Sequence, residues 1–413
     1  MNQGNKGVYT AIAVAALGYF VDIYDLVLFG VVREASLKGL GITSLSEISK
    51  YGDFLYNWQM IGMLTGGVLW GILGDKKGRL SVLFGSIIMY SVANILNGFV
   101  TDIPTYALLR FIAGVGLAGE LGAGITLVNE LMSKENRGYG ATIIACVGTL
   151  GAVTAGFVAG QFEWRTAYFV GGGMGLALLI LRIGVFESGM FKQMKEVTVQ
   201  KGNFFSLFKD RKTFTKYLSC ILIGIPIWYI VGILIFHTRE FGVALNVTQT
   251  ADNRIVTGVA YMYCYAGLSI GDLACGLLSQ YLKSRKKAIL LFLVLSTVTI
   301  VYFLLLKNPS VQVYYFNCLL VGIVGGYWAM FVTVASEQFG TNIRATVTTS
   351  VPNFVRGSVV LLILSFEALR GENNENVINA ALIVGGVTMA ISFFALFQLK
   401  DTFGKDLNYY EES

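Results

Sequence analysis

Asp22 and Asp25 stand three residues apart inside a long apolar stretch, and Arg110, Glu120, Asp272 and Arg356 each interrupt another. An ionisable group in such a stretch is costly to bury, so its first reading is functional. Residues three apart share a helix face, which makes Asp22 and Asp25 a carboxylate pair. Two acids at one site push one proton affinity up, and a nearby arginine pulls it down; such a group can take and release a proton as its surroundings change. Arg110 keeps its own proton and is a fixed positive charge. Counting from the outer helix ends, Asp25 lies about 10 Å deep and Arg110 about 8 Å deep at 1.5 Å per residue, so the two can pair. Glu120 sits ten residues below Arg110. A permanent ion pair that only orders two helices is the alternative reading of Asp25 and Arg110. Arg356, alone in the middle of its stretch, is a natural anchor for a carboxylate or phosphate. Arg182, near a cytoplasmic helix end, is expected to snorkel. The single histidine, His237, is expected in solvent at an outer helix end, and it excludes a multi-histidine metal site.

Aromatic residues supply further candidate contacts for a solute. The adjacent pairs Trp228–Tyr229 and Tyr327–Trp328 must each split between two helix faces, so only part of the set reaches any one cavity. With Tyr19 and Tyr261 also in view, the residues assigned to solute binding are Tyr24, Arg110, Tyr229, Tyr265, Asp272, Trp328, Asn353 and Arg356. Pro226 and Pro352 interrupt backbone bonding inside their stretches and mark bends.

These residues need elements that hold them in a bilayer. The 413-residue chain is 55% hydrophobic and 14% charged, with a mean hydropathy of +0.65. A soluble domain carries about 25% charged residues, more than this chain has to offer water. A crossing takes roughly 20 apolar residues. Spans are predicted near 9–32, 54–74, 80–100, 105–130, 139–161, 165–186, 215–236, 253–282, 288–306, 312–338, 346–369 and 377–398. The polar, basic segment 187–214 divides them six and six: residues 1–186 as an N-terminal bundle and 215–413 as a C-terminal bundle with a short tail. With the N-terminus inside, the cytoplasmic segments hold most loop lysines and arginines, among them Lys76, Lys77, Lys209, Lys212, Lys286 and Lys287. Positive residues favour the cytoplasmic side, so both termini are expected there. The 49 glycines suit closely packed membrane helices. The five cysteines lie in apolar stretches without a CxxC pair, which argues against disulfides or zinc.

The halves echo each other. Glu130 precedes Arg137 by seven residues at the end of the fourth span, and Glu337 precedes Arg344 by seven at the end of the tenth. A six-helix parallel repeat gives this pattern.

The loop after the second span reads Gly71-Ile-Leu-Gly-Asp75-Lys-Lys-Gly78-Arg79. It resembles the signature loop of the major facilitator superfamily, and it falls between the same two helices. The equivalent second-half loop has Gln280 in place of the acid and runs on to Arg285. Within that superfamily, Asp22-Ile-Tyr-Asp25-Leu-Val-Leu-Phe-Gly30, Arg110-Phe-Ile-Ala-Gly114-Val-Gly116 and the Glu-x6-Arg pair are similar to the sugar porters and to the metabolite and aromatic-acid proton symporters. The fifth span lacks the Gly-Pro motif of proton-driven drug exporters. The resemblance implies an all-α integral membrane fold of twelve transmembrane helices in two pseudo-symmetric bundles. It also implies proton coupling through Asp22, Asp25, Arg110 and Glu120, and a cytoplasmic gate of ion pairs among Asp75, Arg79, Glu130, Arg137, Glu337 and Arg344.

The expected function is proton-coupled symport of a small organic acid or similar polar metabolite. Export of a siderophore or drug-like compound, and ligand sensing without flux, are the alternatives. The expected partners are an anionic solute, protons and the lipid bilayer of a bacterial inner membrane, with no nucleic acid, no metal and no cofactor, the chain working as a monomer. No nucleotide-binding Gly-Lys-Ser/Thr loop, HExxH or nucleophile–base pattern is present, so no enzyme is expected.

Overall fold

Backbone groups inside a bilayer must be satisfied within the protein, and helices do this segment by segment. The computed structural model describes residues 3–77, 79–120, 137–187, 204–250, 253–371 and 376–405, and helices dominate it. The first half holds α1 (Gln3–Gly39), α2 (Leu45–Lys77), α3 (Arg79–Asn97), α4 (Ile103–Leu117), α5 (Arg137–Gln161) and α6 (Trp164–Glu187). The second half begins with α7, which runs Arg211–Leu222, restarts at Ile225–Tyr229 and widens into a π turn, Ile230–Ile235. A short helix, Thr238–Ala244, follows. Then come α8 (Thr257–Leu282), α9 (Arg285–Leu304), α10 (Val311–Gly325, resuming as Trp328–Gln338), α11 (Thr341–Gly357, resuming as Val359–Arg370) and α12 (Val377–Gln398). Among the described residues, α1, α6, α7, α9, α10, α11 and α12 contain spans long and apolar enough to cross a membrane, and α3, α4 and α5 contain shorter apolar helices.

Two helices outrun their apolar stretches. α1 continues to Gly39 and α2 begins at Leu45, so each projects beyond the predicted bilayer edge. Nothing in Arg33–Lys38 breaks a helix; the chain turns only near Gly41, whose φ of 87° suits glycine. The extra turns carry Arg33, Ser49 and Asp53.

The breaks follow local chemistry. Pro226 has no N–H to donate and disrupts α7. Gly325 and Gly326 separate the two pieces of α10. Irregular backbone at this depth is tolerated where it is buried in protein or faces a cavity.

Within each half, α1 packs on α5, α2 on α4, and α8 on α10; between the halves, α2 lies along α11 and α5 along α8. α8 and α10 approach backbone to backbone: a Cβ on Gly267 would collide with Leu319 O, and one on Gly322 with Cys264 O. On the α5–α8 seam, Cys146 Sγ donates to Ser269 O (3.4 Å) and Ser269 Oγ donates to Cys146 O (3.2 Å). Near the α2–α11 seam, Asn353 Nδ2 donates to Ala118 O at 2.8 Å.

Candidate functional site

A narrow central cavity lies between the halves. α1 and α5 contribute Tyr19, Ile23 and Thr149; α7, α8, α10 and α11 contribute Ile227, Trp228, Val231, Tyr265, Leu268, Asp272, Trp328 and Arg356. The single guanidinium on this wall belongs to Arg356, which is fully buried. Its Nη2 lies 3.7 Å from Asp22 Oδ2, an ion pair across the two halves that is too long for a hydrogen bond. Nη1 reaches Asn353 Oδ1 at 3.5 Å, and the guanidinium carbon lies 5.3 Å from the centre of the Trp328 ring. Among the described residues, Arg356 Nε and Nη2, both Asp22 carboxylate oxygens, Asp272 Oδ2 and Trp328 Nε1 are buried without a hydrogen-bond partner. Asp272 Oδ1 accepts from Ala329 N at 2.9 Å, at the start of the resumed helix of α10. The cavity therefore presents a cation, an indole donor and a half-used carboxylate between aromatic walls.

Deeper in the first half the pairing differs from expectation. Arg110 donates to Asn94 Oδ1 (2.8 Å) and to Gln59 Oε1 (3.3 Å). It also lies over the rings of Tyr168 and Phe29. Asp25 makes no hydrogen bond among the described residues and packs against Gly171, where a Cβ would overlap Oδ1. The predicted direct Asp25–Arg110 contact is thus corrected: polar side chains from α2 and α3 fill the guanidinium, and Arg110 acts on Asp25 only as a nearby charge. Three residues turn a helix by about 300°, so Asp22 and Asp25 sit about 60° apart. That difference aims Asp22 at the seam and Asp25 into its own half.

Glu120 is not a free carboxylate lower on the path. It forms a two-pronged ion pair with Arg182, one contact being 3.0 Å. Arg182 is buried, so the expectation that it snorkels is corrected as well. Gly18 on α1 makes room for this pair, since a Cβ there would overlap both partners.

Several predicted solute contacts lie elsewhere. Tyr24 OH donates to Ala167 O (3.0 Å) inside the first half. Tyr229 OH donates to Ala381 O (2.7 Å) inside the second. Trp228 takes the cavity position predicted for Tyr229, because the adjacent pair splits between faces. Asn353 serves the seam, with its amide shared between Ala118 O and Thr349 O. Tyr265, Asp272, Trp328 and Arg356 do line the cavity.

The opposite end, predicted to face outward, is shut by a cluster that spacing did not reveal. Arg33 Nη2 reaches both carboxylate oxygens of Glu240, at 3.2 and 3.3 Å, and Ser49 Oγ donates to Glu240 Oε1 at 2.9 Å. His237 Nε2 lies 3.0 Å from Asp53 Oδ1, and Arg370 Nη2 donates to Asp53 Oδ2 at 3.1 Å. His237 is fully buried, not solvated as predicted, because Asp53 on the projecting turns of α2 and the Phe236 and Phe366 rings cover it. Burial alone would raise the Glu240 carboxyl, but the Arg33 guanidinium, helped by His237, outweighs it and holds the group below the usual carboxylate range. The one signal for this cluster in the sequence is its concentration of charge where spans end.

At the end predicted to be cytoplasmic, Glu130 lies outside the described residues, as do the side chains of Asp75, Arg79 and Arg137. Glu337 pairs with Arg285 (3.5 Å) and accepts from Thr402 Oγ1 (2.6 Å). Arg344 donates to the carbonyls of Ser336 and Phe339. The Glu337 partner in this cluster is therefore Arg285, from the altered second-half loop. Nearby, Asp401 accepts from Ser284 Oγ and Arg285 N. Burial works against its charge, but these donors and the Phe403 amide hold the Asp401 carboxyl below its ordinary range.

Comparison with known proteins gives one consistent picture. The profile of the Major Facilitator Superfamily matches residues 15–363. A putative metabolite transport protein of Haemophilus influenzae is 27% identical, over 84% of this chain and 85% of its own. A probable 4-methylmuconolactone transporter of Cupriavidus pinatubonensis is 26% identical, over 80% and 76%. The solved structure of the proton:xylose symporter XylE superposes with a TM-score of 0.74 over 98% of both chains at 14% identity, a likeness of fold.

Proposed function

The chain belongs to the major facilitator superfamily, and from that premise we propose that it is a proton-coupled symporter bringing a small organic acid into the cytoplasm. As a transporter rather than an enzyme, it has binding and reorientation as its chemistry. The observation that carries the reading is the Asp22–Arg356 pair, 3.7 Å long, fully buried and joining the two halves across the cavity.

The length of that pair matters. A solute carboxylate can reach the open face of Arg356 and form the charge-assisted contacts that Asp22 does not make. Once the solute neutralises Arg356, Asp22 is a buried carboxylate without a counter-charge, and protonation is its least costly state. Solute and proton then load together. With both aboard, Arg356 and Asp22 carry no unpaired charge and the halves can rock to the other side. Release of the solute exposes Arg356 again, which draws Asp22 back into the pair and expels its proton. Asp25, one turn away and unpaired, is placed to relay that proton. Tyr19, Trp228, Tyr265 and Trp328 offer flat apolar walls, which suit a planar body attached to the carboxylate.

The relatives' roles, putative metabolite transport and probable 4-methylmuconolactone transport, support a small organic solute, and the proton:xylose symport of XylE supports proton coupling. The placement that goes with this reading is a bacterial inner membrane, with both termini cytoplasmic and a single chain as the working unit.

Flux in proteoliposomes tests it. Purified protein should accumulate labelled organic acid against its gradient when the outside is acidified, with protons moving in the same direction. Asp22→Asn, a permanent mimic of the protonated state, should abolish uphill accumulation yet retain solute exchange. Uphill accumulation by Asp22→Asn would move coupling to Asp25 or Asp272. Solute moving against an inward proton flow would replace symport by export.

A further inference from the structure

We infer that His237 and Asp53 hold a proton between them when the outer end is shut, forming a second proton-binding site apart from the central cavity. The site does not depend on which solute is carried. His237 Nδ1 lies 3.0 Å from the carbonyl oxygen of Ile233, which can only accept. Its Nε2 lies 3.0 Å from Asp53 Oδ1, while Asp53 Oδ2 accepts from Arg370. A neutral imidazole has one N–H. If that N–H serves Ile233, then Nε2 and a carboxylate oxygen face each other as two acceptors at hydrogen-bond distance. Both groups are buried, so water cannot mediate between them at little cost. One added proton removes the conflict. It gives either an imidazolium donating from both nitrogens or a carboxylic acid donating to Nε2.

The charged groups around the ring come from four elements. α1 contributes Arg33, α2 contributes Asp53, the short helix Thr238–Ala244 contributes Glu240, and α11 contributes Arg370 and Glu367. With Glu367 neutral, Arg33 and Arg370 balance Asp53 and Glu240; with Glu367 ionised against Arg370, a proton on the histidine pair restores the balance. Arg239, Glu34 and Lys38 stand outside, partly exposed at the rim, and pair among themselves. Phe236 and Phe366 pack on the imidazole, with ring centres 5.2 and 4.9 Å away.

The proton is tied to conformation because the contacts cross the halves. Asp53 and Arg33 belong to the first half, and His237, Glu240 and Arg370 to the second. Opening the outer end separates Asp53 from the histidine, removes the reason for the extra proton and wets both groups. Closing takes the proton up from the outer solution, forming one N–H or O–H bond and leaving water. The shut state binds more protons, so raising the pH must favour the open state, by up to about tenfold per pH unit for one linked proton.

The test uses the full chain in nanodiscs, with spin labels on cysteines replacing Ser44 and Lys307, both exposed on outer loops of opposite halves. Pulsed electron resonance gives the distance distribution at steps between about pH 5 and 8. In otherwise wild-type protein the long-distance population should grow as pH rises. Asp53→Asn supplies the missing hydrogen: its Nδ2 can donate to neutral Nε2 while Oδ1 still accepts from Arg370. This variant should stay shut, without pH response, over the whole range. His237→Gln, with no titratable ring, should also lose the pH response, whatever its resting distance. A pH response retained in either variant, or none in the parent, overturns the inference.

Discussion

Arg356 stands out by what it leaves unused. Nε and Nη2 point to no hydrogen-bond partner among the described residues, though the residue is fully buried. Arg356→Lys would keep the charge and lose the planar fork, so affinity for a solute carboxylate should fall by about tenfold or more in a binding titration. Equal affinity would assign the anchor elsewhere. Asp272 has the converse geometry, with one oxygen holding the Ala329 amide and the other free. Asp272→Asn can keep the first contact while turning the free group from acceptor to donor. Solutes that present a hydroxyl to it should therefore lose affinity more than analogues that lack one. Glu120 and Arg182 predict differently again. Removing one partner strands the other, so Glu120→Gln should cost about 3–5 kcal/mol of stability without selective loss of coupling; thermal unfolding and proton-to-solute stoichiometry would separate the two effects. At this scale the sequence shows which residues matter better than it shows whom they meet. A charge inside an apolar stretch is visible because its cost is local. Its partner is set by helix rotation and by neighbours distant in the chain. That is why Asp22 rather than Asp25 meets an arginine across the seam, and why Arg182 turns inward to Glu120.

Among the elements, the interrupted helices and the overlong ones do different work. α7, α10 and α11 are broken near the cavity, while α1 and α2 extend past the bilayer to build the outer latch. The breaks had partial signals in Pro226 and in the Gly325-Gly326 pair. The extensions had none in hydropathy, because a helix does not stop where its apolar stretch stops; it stops where the backbone must turn, here near Gly41. The latch also has an acid limit. Glu240 is held charged by Arg33 below the usual carboxylate range. Its folded value is depressed, so its contribution is complete above the ordinary glutamate range and is lost as pH falls through the lowered value. Strong acid should therefore loosen the latch that mild acid tightens. The melting temperature, followed against pH, should drop on the acid side, and Glu240→Gln should start lower and lose most of that acid-side slope.

For the molecule as a whole, hydropathy made the twelve-helix layout legible, because a crossing needs apolar length and leaves a mark in every span. The proposed orientation, with the termini and 187–214 inside, rests on the bias of the loop lysines and arginines. Cysteines introduced at 42 and at 200 should react with an impermeant reagent from opposite sides of the membrane; labelling from one side would overturn that orientation. The seam between α5 and α8 has a mechanical consequence. Cys146 and Ser269 exchange two contacts there; Gly148, two residues on, packs against Tyr19 of α1, and Arg33 of the latch lies fourteen residues beyond Tyr19, about 21 Å along the helix axis. If the seam is the fulcrum, a tilt of about 10° moves the latch end by about 4 Å over that lever arm. Contacts of 3.0 to 3.3 Å at the rim would part, while the pair at the pivot would slide by a fraction of that. A thiol near a fulcrum should feel almost none of the stroke. The reactivity of Cys146 should therefore stay level through a transport cycle in which labels at the rim swing widely.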